Sequence, residues 1–534
     1  IGHSDTEVLL CAYLKWGTSL LNKIEGMFAF AIWDSNKKEL FLATDPLGIK
    51  PLYWNKNEKG FYFSSEIRAM LNTNLFEKNL NPKSVNSFLA YGAVQGPDTI
   101  IKNINLLTGG SLIKVDQNGE IIELKKYWQP NFQNKTQVKK TDIIDQLNDL
   151  MIKLTREHLN SDVPTGLFLS GGIDSTALAY FSKQIKTEIN SFSINFDEQQ
   201  WSEGELAKKT ANIFNLKHTS TLIDTNYIKE SLFEALSSLD QPSIDGVNIY
   251  IISKIIKECG IKVALSGLGG DELFGGYPSF TDVPKGIKIE KLISLAPNFI
   301  RGKLKKILLG TLEKNYNVPS KFSQLLGQKN SQLDFYLLLR QLYPKETRND
   351  LFSAAGEYSH PFSSKELDEL ENLTLNLDST DAMTLLELKL YCGQTLLRDS
   401  DVMGMANSLE IRVPFLDKRL VELVSSIPAS FKLEKNRVKP LLLDATRGNI
   451  RNEVWNRPKM GFVFPFQTWL KSDLKYLGDN CLLSGQSWEE LGFNKNKVES
   501  LWNGFLESKK DVTYPRIWSL IVLHEWCSRN NVSL

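Results

Sequence analysis

The chain has 534 residues, enough for more than one domain, and its 42% hydrophobic and 23% charged residues are typical of a globular protein. Its 63 lysines and arginines against 62 aspartates and glutamates leave a net charge of +1, which argues against nucleic acid as a partner. No apolar run approaches the roughly 20 residues that a membrane-spanning helix needs, so no membrane span is expected.

The first 128 residues carry the signals of a helix followed by short β-strands. Ser4 and Glu7 stand three residues apart before an apolar run, which is the pattern of a capping box and predicts a helix from near Asp5. Short β-forming runs separated by turn residues predict four strands, at 27–33, 39–43, 60–64 and 111–115. The polar stretch 129–140 is predicted to be a linker to a second region.

From residue 141 to 534 the pattern changes to alternating strands and helices. Apolar runs predict four strands, at 166–169, 189–196, 219–223 and 262–265. Helical patterns lie between them, at 176–181, 203–215, 227–239 and 250–259. Strands that alternate with helices favour βαβ units and a doubly wound parallel sheet. Beyond about residue 281 the pattern is mainly helical.

A glycine loop, Ser170-Gly171-Gly172-Ile173-Asp174-Ser175, joins the first of these strands to its helix. The two glycines permit a tight turn with exposed backbone N–H groups, and the helix N-terminus that follows favours an anion. The pattern therefore indicates a phosphate or pyrophosphate site, with a plain strand-to-helix turn as the alternative. The loop lacks the Gly-Lys-Ser/Thr ending of a Walker A motif.

A second glycine-rich loop, from Ser266 to Tyr277, follows the fourth strand. In an open parallel sheet, ligands bind beyond the carboxyl ends of the strands at the switch point, so both loops are expected to face one nucleotide. Asp174 and Asp271 would then hold Mg²⁺, which takes a few carboxylates together with phosphate oxygens. Helix capping is the alternative role for these two aspartates.

Taken together, the two glycine loops and the stretch Arg412-Val413-Pro414-Phe415-Leu416-Asp417 resemble motifs of the glutamine-hydrolysing asparagine synthetase family. Two further stretches, 2–7 and 45–53, are similar to the glutaminase half of that family. The resemblance extends over essentially the whole chain. It implies an incomplete N-terminal-nucleophile (αββα) glutaminase domain over 1–128, a linker over 129–140, and an ATP pyrophosphatase domain over 141–534 with a helical C-terminal part.

The resemblance also implies roles for residues of the second half. The pyrophosphate would be held by the first glycine loop, through Ser170, Gly171, Gly172, Asp174 and Ser175. The adenosine would contact a second set, Phe168, Ile194, Ser266 and Gly267. Asp271 would support Mg²⁺ and the phosphates. Lys459 would stabilise the adenylation transition state, with an exposed surface lysine as the alternative. Arg398 and Asp399 would shape the substrate side or form a structural salt bridge.

In the glutaminase half, Asp5 matches the carboxylate that binds the α-amino group of glutamine. An acidic residue favoured by the dipole of a helix N-terminus is the alternative interpretation. The family's N-terminal cysteine nucleophile has no counterpart here, and the sequence, which begins at Ile1, is expected to be truncated. Cys11 lies in an apolar helical pattern and is predicted to be a packed core thiol. The five cysteines form no CxxC pair, so a reducing, cytoplasmic setting is expected.

Leu268 departs from the family at a position where synthetases of free asparagine commonly carry glutamate. Leucine can neither accept a proton nor bind a cation. The departure leaves the acceptor open and favours another carboxylate, such as a sugar acid or a peptide.

The sequence thus predicts an ATP- and Mg²⁺-dependent ligase that amidates L-aspartate to L-asparagine through a β-aspartyl-adenylate. Ammonia would come from glutamine in the intact protein. Two alternatives stay open: the same chemistry on another carboxylate, and a nucleotide-binding module without turnover. The expected partners are small molecules, namely the acid, glutamine or ammonia, and ATP, and a homodimer is left open.

Overall fold

The computed structural model describes residues 4–185, 188–196, 204–295, 321, 325, 330–358, 360–456, 464–484 and 488–534. The strands in these ranges are β1 (Ala29–Asp34), β2 (Glu39–Thr44), β3 (Tyr53–Asn57), β4 (Gly60–Ser64), β5 (Asn105–Leu106), β6 (Ser111–Asp116), β7 (Ile121–Lys126), β8 (Thr165–Phe168), β9 (Asn190–Phe196), β10 (Lys217–Ile223), β11 (Val263–Leu265) and β12 (Glu410–Arg412).

The α-helices up to the middle of the second region are α1 (Asp5–Trp16), α2 (Ile67–Leu71), α3 (Pro82–Tyr91), α4 (Lys140–Leu159), α5 (Ile173–Lys183), α6 (Gly204–Ile213), α7 (Thr225–Ser238), α8 (Gly246–Glu258), α9 (Gly270–Phe274), α10 (Ser279–Ser294), α11 (Gln332–Arg340) and α12 (Lys345–Leu351). Those that follow are α13 (Ser364–Thr374), α14 (Ser379–Leu386), α15 (Leu397–Ala406), α16 (Lys418–Ser426), α17 (Ala429–Lys432), α18 (Pro440–Ala445), α19 (Asn452–Trp455), α20 (Phe466–Trp469), α21 (Lys475–Asp479), α22 (Lys495–Leu506) and α23 (Tyr514–Asn530). Two segments are π-helical, Glu387–Leu396 and Asn480–Ser484.

Helix α1 begins where the sequence predicts it. The Ser4 hydroxyl accepts a hydrogen bond from the Glu7 backbone N–H at 3.3 Å, which satisfies one of the donors that the first turn of a helix leaves open. The helix packs through Ala12 and Tyr13 on an antiparallel sheet with the order β1-β2-β6-β7. The sheet therefore receives one apolar side of the helix.

The prediction that Cys11 is a packed core thiol is wrong, because its side chain is exposed. Leu9, Ala12 and Tyr13 form the i, i+3, i+4 stripe that faces the sheet. Cys11 stands one position off this stripe, so the apolar neighbours in the sequence do not cover it.

A second sheet, with the order β4-β3-β5, packs against the first. Leu42 and Ile113 from the first sheet meet Trp54 and Phe61 from the second, and the rings of Trp54 and Phe61 stack at 5.9 Å. Helices α2 and α3 lie on the outer side of this second sheet in the same core as Tyr53. Two stacked sheets thus lie between helices, while the nucleophile domain implied by the resemblance stays a prediction.

The second region is built on a five-stranded sheet with the order β10-β9-β8-β11-β12, in which every neighbouring pair is parallel. The predicted parallel α/β sheet is confirmed. The chain runs from β8 outward to β9 and β10, then returns to β11 and β12 on the other side. Because crossover connections are right-handed, this reversal leaves a crevice at the carboxyl ends of β8 and β11.

Four strands were not predicted: β3, the two-residue β5, β7 and β12. β7 is Ile-Ile-Glu-Leu-Lys-Lys, and β3 carries two asparagines and a lysine, so neither shows a clear apolar pattern. Each is held by pairing with a neighbour, β6 for β7 and β4 for β3. β12 has three residues and depends on β11 in the same way. Pairing with a neighbouring strand can override a weak local propensity.

The C-terminal part is mainly helical, as predicted. Helix α23 carries ten buried residues, and its Trp518 stacks on Phe466 at 4.5 Å. Trp526 donates to the backbone oxygens of Leu239 and Asp240, both at 3.2 Å, so α23 is fixed to the end of α7. Within the described ranges, no helix is both long and apolar enough to cross a membrane.

Asp45 organises the loop that follows β2. Its buried carboxylate accepts hydrogen bonds from the backbone N–H groups of Phe28, Leu47, Ile49 and Lys50, at 3.0 to 3.3 Å. Burial raises the pKa of Asp45 to about 6, although these four donors act in the opposite direction. The loop in turn presents Lys50 to the second region.

Three polar contacts join the first region to helix α15 and the π-helical segment before it. The Lys50 ammonium lies 2.5 Å from the Asp401 carboxylate. The Gln394 side chain accepts from the Gly96 N–H at 2.9 Å, and Arg398 donates to a backbone oxygen of the first region at 3.3 Å. The same part of the second region lines the cavity described below.

The stretch 129–139 lies outside helices and strands and is fixed by a buried charge cluster. Lys135 donates to the Ser425 carbonyl at 2.7 Å and pairs with Asp381 at 2.7 Å. Lys432 pairs with the other oxygen of Asp381 at 2.7 Å, and both side chains are at most 2% exposed. Burial lowers the pKa of Lys432 to about 8, although Asp381 raises it. The predicted linker and domain boundaries stay predictions.

Asp381→Ala is expected to lower the free energy of unfolding by about 3–5 kcal/mol, because it leaves the Lys432 ammonium buried without its partner. Unfolding in urea measures the change. Glu369→Ala is the matched control. The Glu369 side chain is 56% exposed and its carboxylate lies 3.5 Å from the Lys389 ammonium. Its removal should lower the free energy of unfolding by at most about 1 kcal/mol. Equal losses in the two variants would contradict the buried cluster.

Candidate active site

A cavity of about 430 Å³ lies at the carboxyl ends of β8 and β11. Eleven of the residues singled out in the sequence line it: Phe168, Ser170, Gly172, Asp174, Ser175, Ile194, Ser266, Gly267, Leu268, Asp271 and Asp399. Gly171 belongs to the same loop but is not among the lining residues. The two glycine loops thus face one space, at the point where the strand order reverses. Their individual roles stay predictions.

The first glycine loop is held in place by its own serines. The Ser170 hydroxyl accepts from the Gly172 N–H at 3.3 Å and lies 3.2 Å from the Ser175 hydroxyl. Gly171 has a φ of +72°, a conformation that side chains rarely adopt. Helix α5 begins directly afterwards, so its first-turn N–H groups and dipole favour an anion at this loop.

The second loop approaches the first so closely that only glycine fits. A Cβ at Gly270 would lie 2.2 Å from Asp174 Oδ1, and a Cβ at Gly267 would lie 2.9 Å from Asp174 Cβ. Gly269 has a φ of +95° and would place a Cβ 2.5 Å from the Leu416 side chain. Close approach of two backbones is one of the positions at which glycine is required.

Lys439 joins the two loops by pairing with an aspartate from each. Its Nζ lies 2.6 Å from Asp174 Oδ1 and 2.6 Å from Asp271 Oδ1, and its side chain is only 3% exposed. Burial alone would lower the pKa of Lys439, but the two carboxylates raise it above its usual value. Lysine is therefore held as a cation between the aspartates that the sequence predicts to bind Mg²⁺.

Sequence reasoning missed Lys439. It lies 265 positions from Asp174, and a lysine before a run of leucines is usually an exposed helix residue. The proline that follows is the one local signal in the sequence, and in the structure Lys439 has a φ of 51°. A non-glycine residue in the left-handed region costs energy and persists where the surrounding structure requires it, which is common at functional sites.

The far wall of the cavity pairs carboxylates with tyrosines. Glu272 accepts from the Tyr277 hydroxyl at 3.0 Å, and Asp245 accepts from the Tyr391 hydroxyl at 3.0 Å. Burial and the neighbouring Asp271 raise the pKa of Glu272 to about 7. Burial also raises the pKa of Asp245 above its usual value. None of these four residues was assigned a role from the sequence.

Arg340 supports this wall from behind. Its guanidinium lies 3.9 Å from the centre of the Tyr391 ring and 4.7 Å from that of Tyr277. It donates to the buried Glu387 carboxylate at 2.5 Å, which also accepts from the Tyr336 hydroxyl at 3.0 Å. The charge of Arg340 is thus compensated outside the cavity, while its planar group fixes the two rings.

Arg398 and Asp399 fit both alternatives that the sequence left open. Their side chains form a buried ion pair at 3.7 Å, and Asp399 accepts a hydrogen bond from the Ser243 hydroxyl. Burial raises the pKa of Asp399 to about 6, although Arg398 lowers it. Asp399 also lines the cavity. The same carboxylate therefore takes part in a structural salt bridge and forms part of the cavity wall.

One predicted site residue lies elsewhere. Asp5 is exposed in the first turn of α1, where its carboxylate accepts from the Thr6 N–H at 2.8 Å. Its glutamine-binding role stays a prediction. Lys459 lies outside the described residues, and its role stays a prediction as well.

The residues present fit a phosphate ligand together with Mg²⁺. Asp174 and Asp271 offer the carboxylate oxygens that Mg²⁺ prefers, and Lys439 marks the point between them where positive charge is stabilised. Gly172 and Gly267 line the cavity without a side chain, so a ligand can approach the loop backbone closely. A parallel sheet with such a crevice at its switch point is typical of α/β proteins that bind a nucleotide or another phosphate-bearing ligand.

Comparison with known proteins identifies the family. A family model described as asparagine synthase matches residues 146–528, and one described as a glutamine amidotransferase domain matches residues 1–128. Asparagine synthetase [glutamine-hydrolyzing] 1 of Bacillus subtilis is 30% identical over 99% of this chain and 81% of its own length. A putative asparagine synthetase of Mycobacterium tuberculosis is 29% identical over 88% of this chain and 71% of its own length. The chain belongs to the asparagine synthase family.

The resemblance noted in the sequence is thereby confirmed, and with it an ATP-dependent ligase type that uses glutamine as nitrogen donor at the level of the family. The relatives do not all carry one name. Amidase chyE of Penicillium rubens is 24% identical over 92% of this chain and 77% of its own length.

Lys439→Met tests the link between the two loops. The variant leaves two carboxylates facing each other without a cation, so unfolding is expected to become easier by about 3–5 kcal/mol in Mg²⁺-free buffer. Millimolar Mg²⁺ should raise the unfolding midpoint more in the variant than in the unaltered chain, because the metal takes the place of the ammonium. Lys435→Met, at an exposed position of the same segment, is the control. The same response to Mg²⁺ in both variants would contradict the link.

Proposed function

We propose that this chain activates a carboxylate with ATP and converts the resulting acyl-adenylate into an amide with ammonia. The observation that carries this proposal is the convergence of two glycine loops, Asp174, Asp271 and Lys439 on one cavity. The family indicates the type of reaction. Within this proposal, adenylation of the acid and formation of the amide both take place in the cavity.

In the first half-reaction, an oxygen of the acceptor carboxylate attacks the α-phosphorus of ATP. The bond from this phosphorus to the bridging oxygen breaks, and pyrophosphate leaves with the electron pair. Lys439 and the N-terminus of helix α5, whose first residues Ile173 to Ser175 line the cavity, offset the charge that builds on the leaving group. Mg²⁺, held by Asp174 and Asp271, would supply further positive charge at the same oxygens.

In the second half-reaction, ammonia attacks the acyl carbon, AMP leaves and one proton is released. Water would give back the free acid at this step, so the acyl carbon has to be protected from it. Leu268, Ile249 and Ile252 line the cavity with apolar surface. We assign these three side chains to the exclusion of water from the adenylate.

The nitrogen would come from glutamine through the first region. Helix α15 supports this route, because it contacts the first region through Arg398 and Asp401 and lines the cavity through Asp399. Within this proposal Asp5 binds the glutamine α-amino group, the glutaminase domain spans 1–128, and the synthetase domain spans 141–534. A cytoplasmic setting and a homodimer stay predictions.

L-Aspartate is the acceptor that the resemblance implies, and conversion to L-asparagine is the first candidate activity. A second candidate is the same amidation on another carboxylate. Leu268 favours it, because this apolar side chain lines the cavity at a position where, by the resemblance, synthetases of free asparagine commonly carry glutamate.

The direct test is pyrophosphate release with ATP, Mg²⁺ and ammonia, in which L-aspartate is compared with no acceptor and with other acids. Ammonia as the nitrogen source tests the second region independently of glutamine hydrolysis. Acceptor-dependent pyrophosphate with an amide identified by mass is the expected result. Protein that binds ATP but releases no pyrophosphate with any acid would support the nucleotide-binding module instead.

Lys459→Met is expected to lower ATP–pyrophosphate exchange at least a hundredfold, equivalent to about 2.7 kcal/mol of transition-state stabilisation. The physical reason is the loss of a cation that would neutralise charge on the reacting phosphates. Exchange of labelled pyrophosphate into ATP measures the effect, and Lys435→Met serves as the control. Unchanged exchange in the Lys459 variant would mean that this lysine is an ordinary surface residue.

A further inference from the structure

Three side chains that can bind a metal ion meet in the C-terminal helical part. Cys481 belongs to the π-helical segment Asn480–Ser484, and His524 and Glu525 are neighbours on α23. The thiol sulfur, an imidazole nitrogen and a carboxylate oxygen lie within 4.8 Å of one another. In the part of the chain that the structure describes, no other three such ligand atoms come this close. We call these residues the Cys-His-Glu cluster, and none of them lines the cavity of the candidate active site.

The cluster offers the donor atoms that zinc prefers. Zn²⁺ binds thiolate sulfur, imidazole nitrogen and carboxylate oxygen at about 2.0–2.3 Å, so ligand atoms around a tetrahedral ion lie roughly 3.5 Å apart. The Cys481 sulfur lies 3.3 Å from Glu525 Oε1, close to this spacing. Mg²⁺ and Ca²⁺ prefer oxygen ligands alone. The cluster therefore differs in kind from the aspartate pair of the glycine loops.

A proton joins two members of the cluster. The Cys481 thiol donates a hydrogen bond to Glu525 Oε1. A divalent cation that takes the place of this proton binds the thiolate and the carboxylate together, and the proton leaves to solvent. The two ligands then supply two negative charges to the doubly charged ion, and neutral His524 supplies a third donor atom.

Contacts outside the cluster orient its members. Arg529 donates to Glu525 Oε2 at 2.7 and 3.0 Å, which leaves Oε1 directed at Cys481. The Trp488 indole donates to the Cys481 carbonyl at 3.0 Å, and its ring lies 5.4 Å from the His524 ring. Outer hydrogen bonds of this kind hold metal ligands in position, and π-helical turns such as the one that carries Cys481 are frequent at functional sites.

We propose that Cys481, His524 and Glu525 bind one Zn²⁺ ion and leave its fourth position to a water molecule. Three protein ligands with a water are a common composition of zinc sites that keep an open position. The ion joins the π-helical segment to α23, which Trp526 fixes to the end of α7. Because zinc binds the folded cluster, it stabilises the folded chain. This inference is independent of the proposed amidation.

Titration of the full chain with Co²⁺ and then Zn²⁺ tests the site, after a chelator has removed bound metal. Millimolar Mg²⁺ is present throughout, so that Asp174 and Asp271 are occupied. One equivalent of Co²⁺ is expected to give near-ultraviolet charge-transfer absorption from a thiolate and the visible bands of four-coordinate cobalt. Zn²⁺ should abolish both signals because it binds such sites more tightly than Co²⁺, and it should raise the unfolding midpoint.

The variant Cys481→Ser tests the thiolate. Its charge-transfer band should be lost, and its affinity for Zn²⁺ should fall at least a hundredfold. Cys527→Ser is the matched control, because it makes the same substitution at another buried cysteine that does not belong to the cluster. It should keep the band and the affinity. Glu525→Gln should keep the band and lower the affinity at least tenfold.

Two results would overturn the inference. The first is an unaltered chain that gives no charge-transfer band. The second is a band that persists in Cys481→Ser, because the exposed Cys11 or Cys259 would then bind the metal. Equal losses in Cys481→Ser and Cys527→Ser would overturn the assignment of Cys481 as a ligand. Since the readout is metal binding, none of these results depends on the proposed function.

Discussion

The ion pair that Lys439 makes with Asp174 and Asp271 holds the centre of this molecule together. Each aspartate follows a different strand, and each sits in a glycine loop that approaches the other within contact distance. Two carboxylates brought so close would repel each other if no cation lay between them. The lysine therefore makes the close approach of the loops stable, and the close approach creates the cavity.

The same interaction explains one strained backbone position in the site. Lys439 has a positive φ, and so do Gly171 and Gly269. The two glycines accept this conformation at little cost, whereas the lysine does so only because its ammonium is fixed by two carboxylates. The backbone strain at Lys439 is thus offset by its ion pairs with Asp174 and Asp271. These pairs fix the two glycine loops relative to each other.

Much of the fold and part of the site were predictable from the sequence, for a local reason. The parallel sheet and both glycine loops can be recognised from short stretches of sequence. Apolar runs predict the strands, and glycines before a helix predict the loops. Lys439, Asp245 and Tyr391 do not, because the partners that they contact lie more than a hundred positions away. The prediction that Cys11 is buried was wrong because it relied on local sequence alone. The neighbours of Cys11 in the sequence are apolar, but Cys11 does not lie on the side of the helix that faces the sheet.

Helix α15 links the acceptor side of the cavity to the first region. Arg398 and Asp401, three residues apart, lie on one face and contact the Val94 carbonyl and the Lys50 ammonium. Asp399, between them in sequence, points to the cavity and is paired with Arg398. Protein interiors are close-packed, so a substitution that displaces Arg398 is felt at Asp399 and at the cavity wall it forms. One turn of helix thus carries both the contacts to the first region and one wall of the cavity.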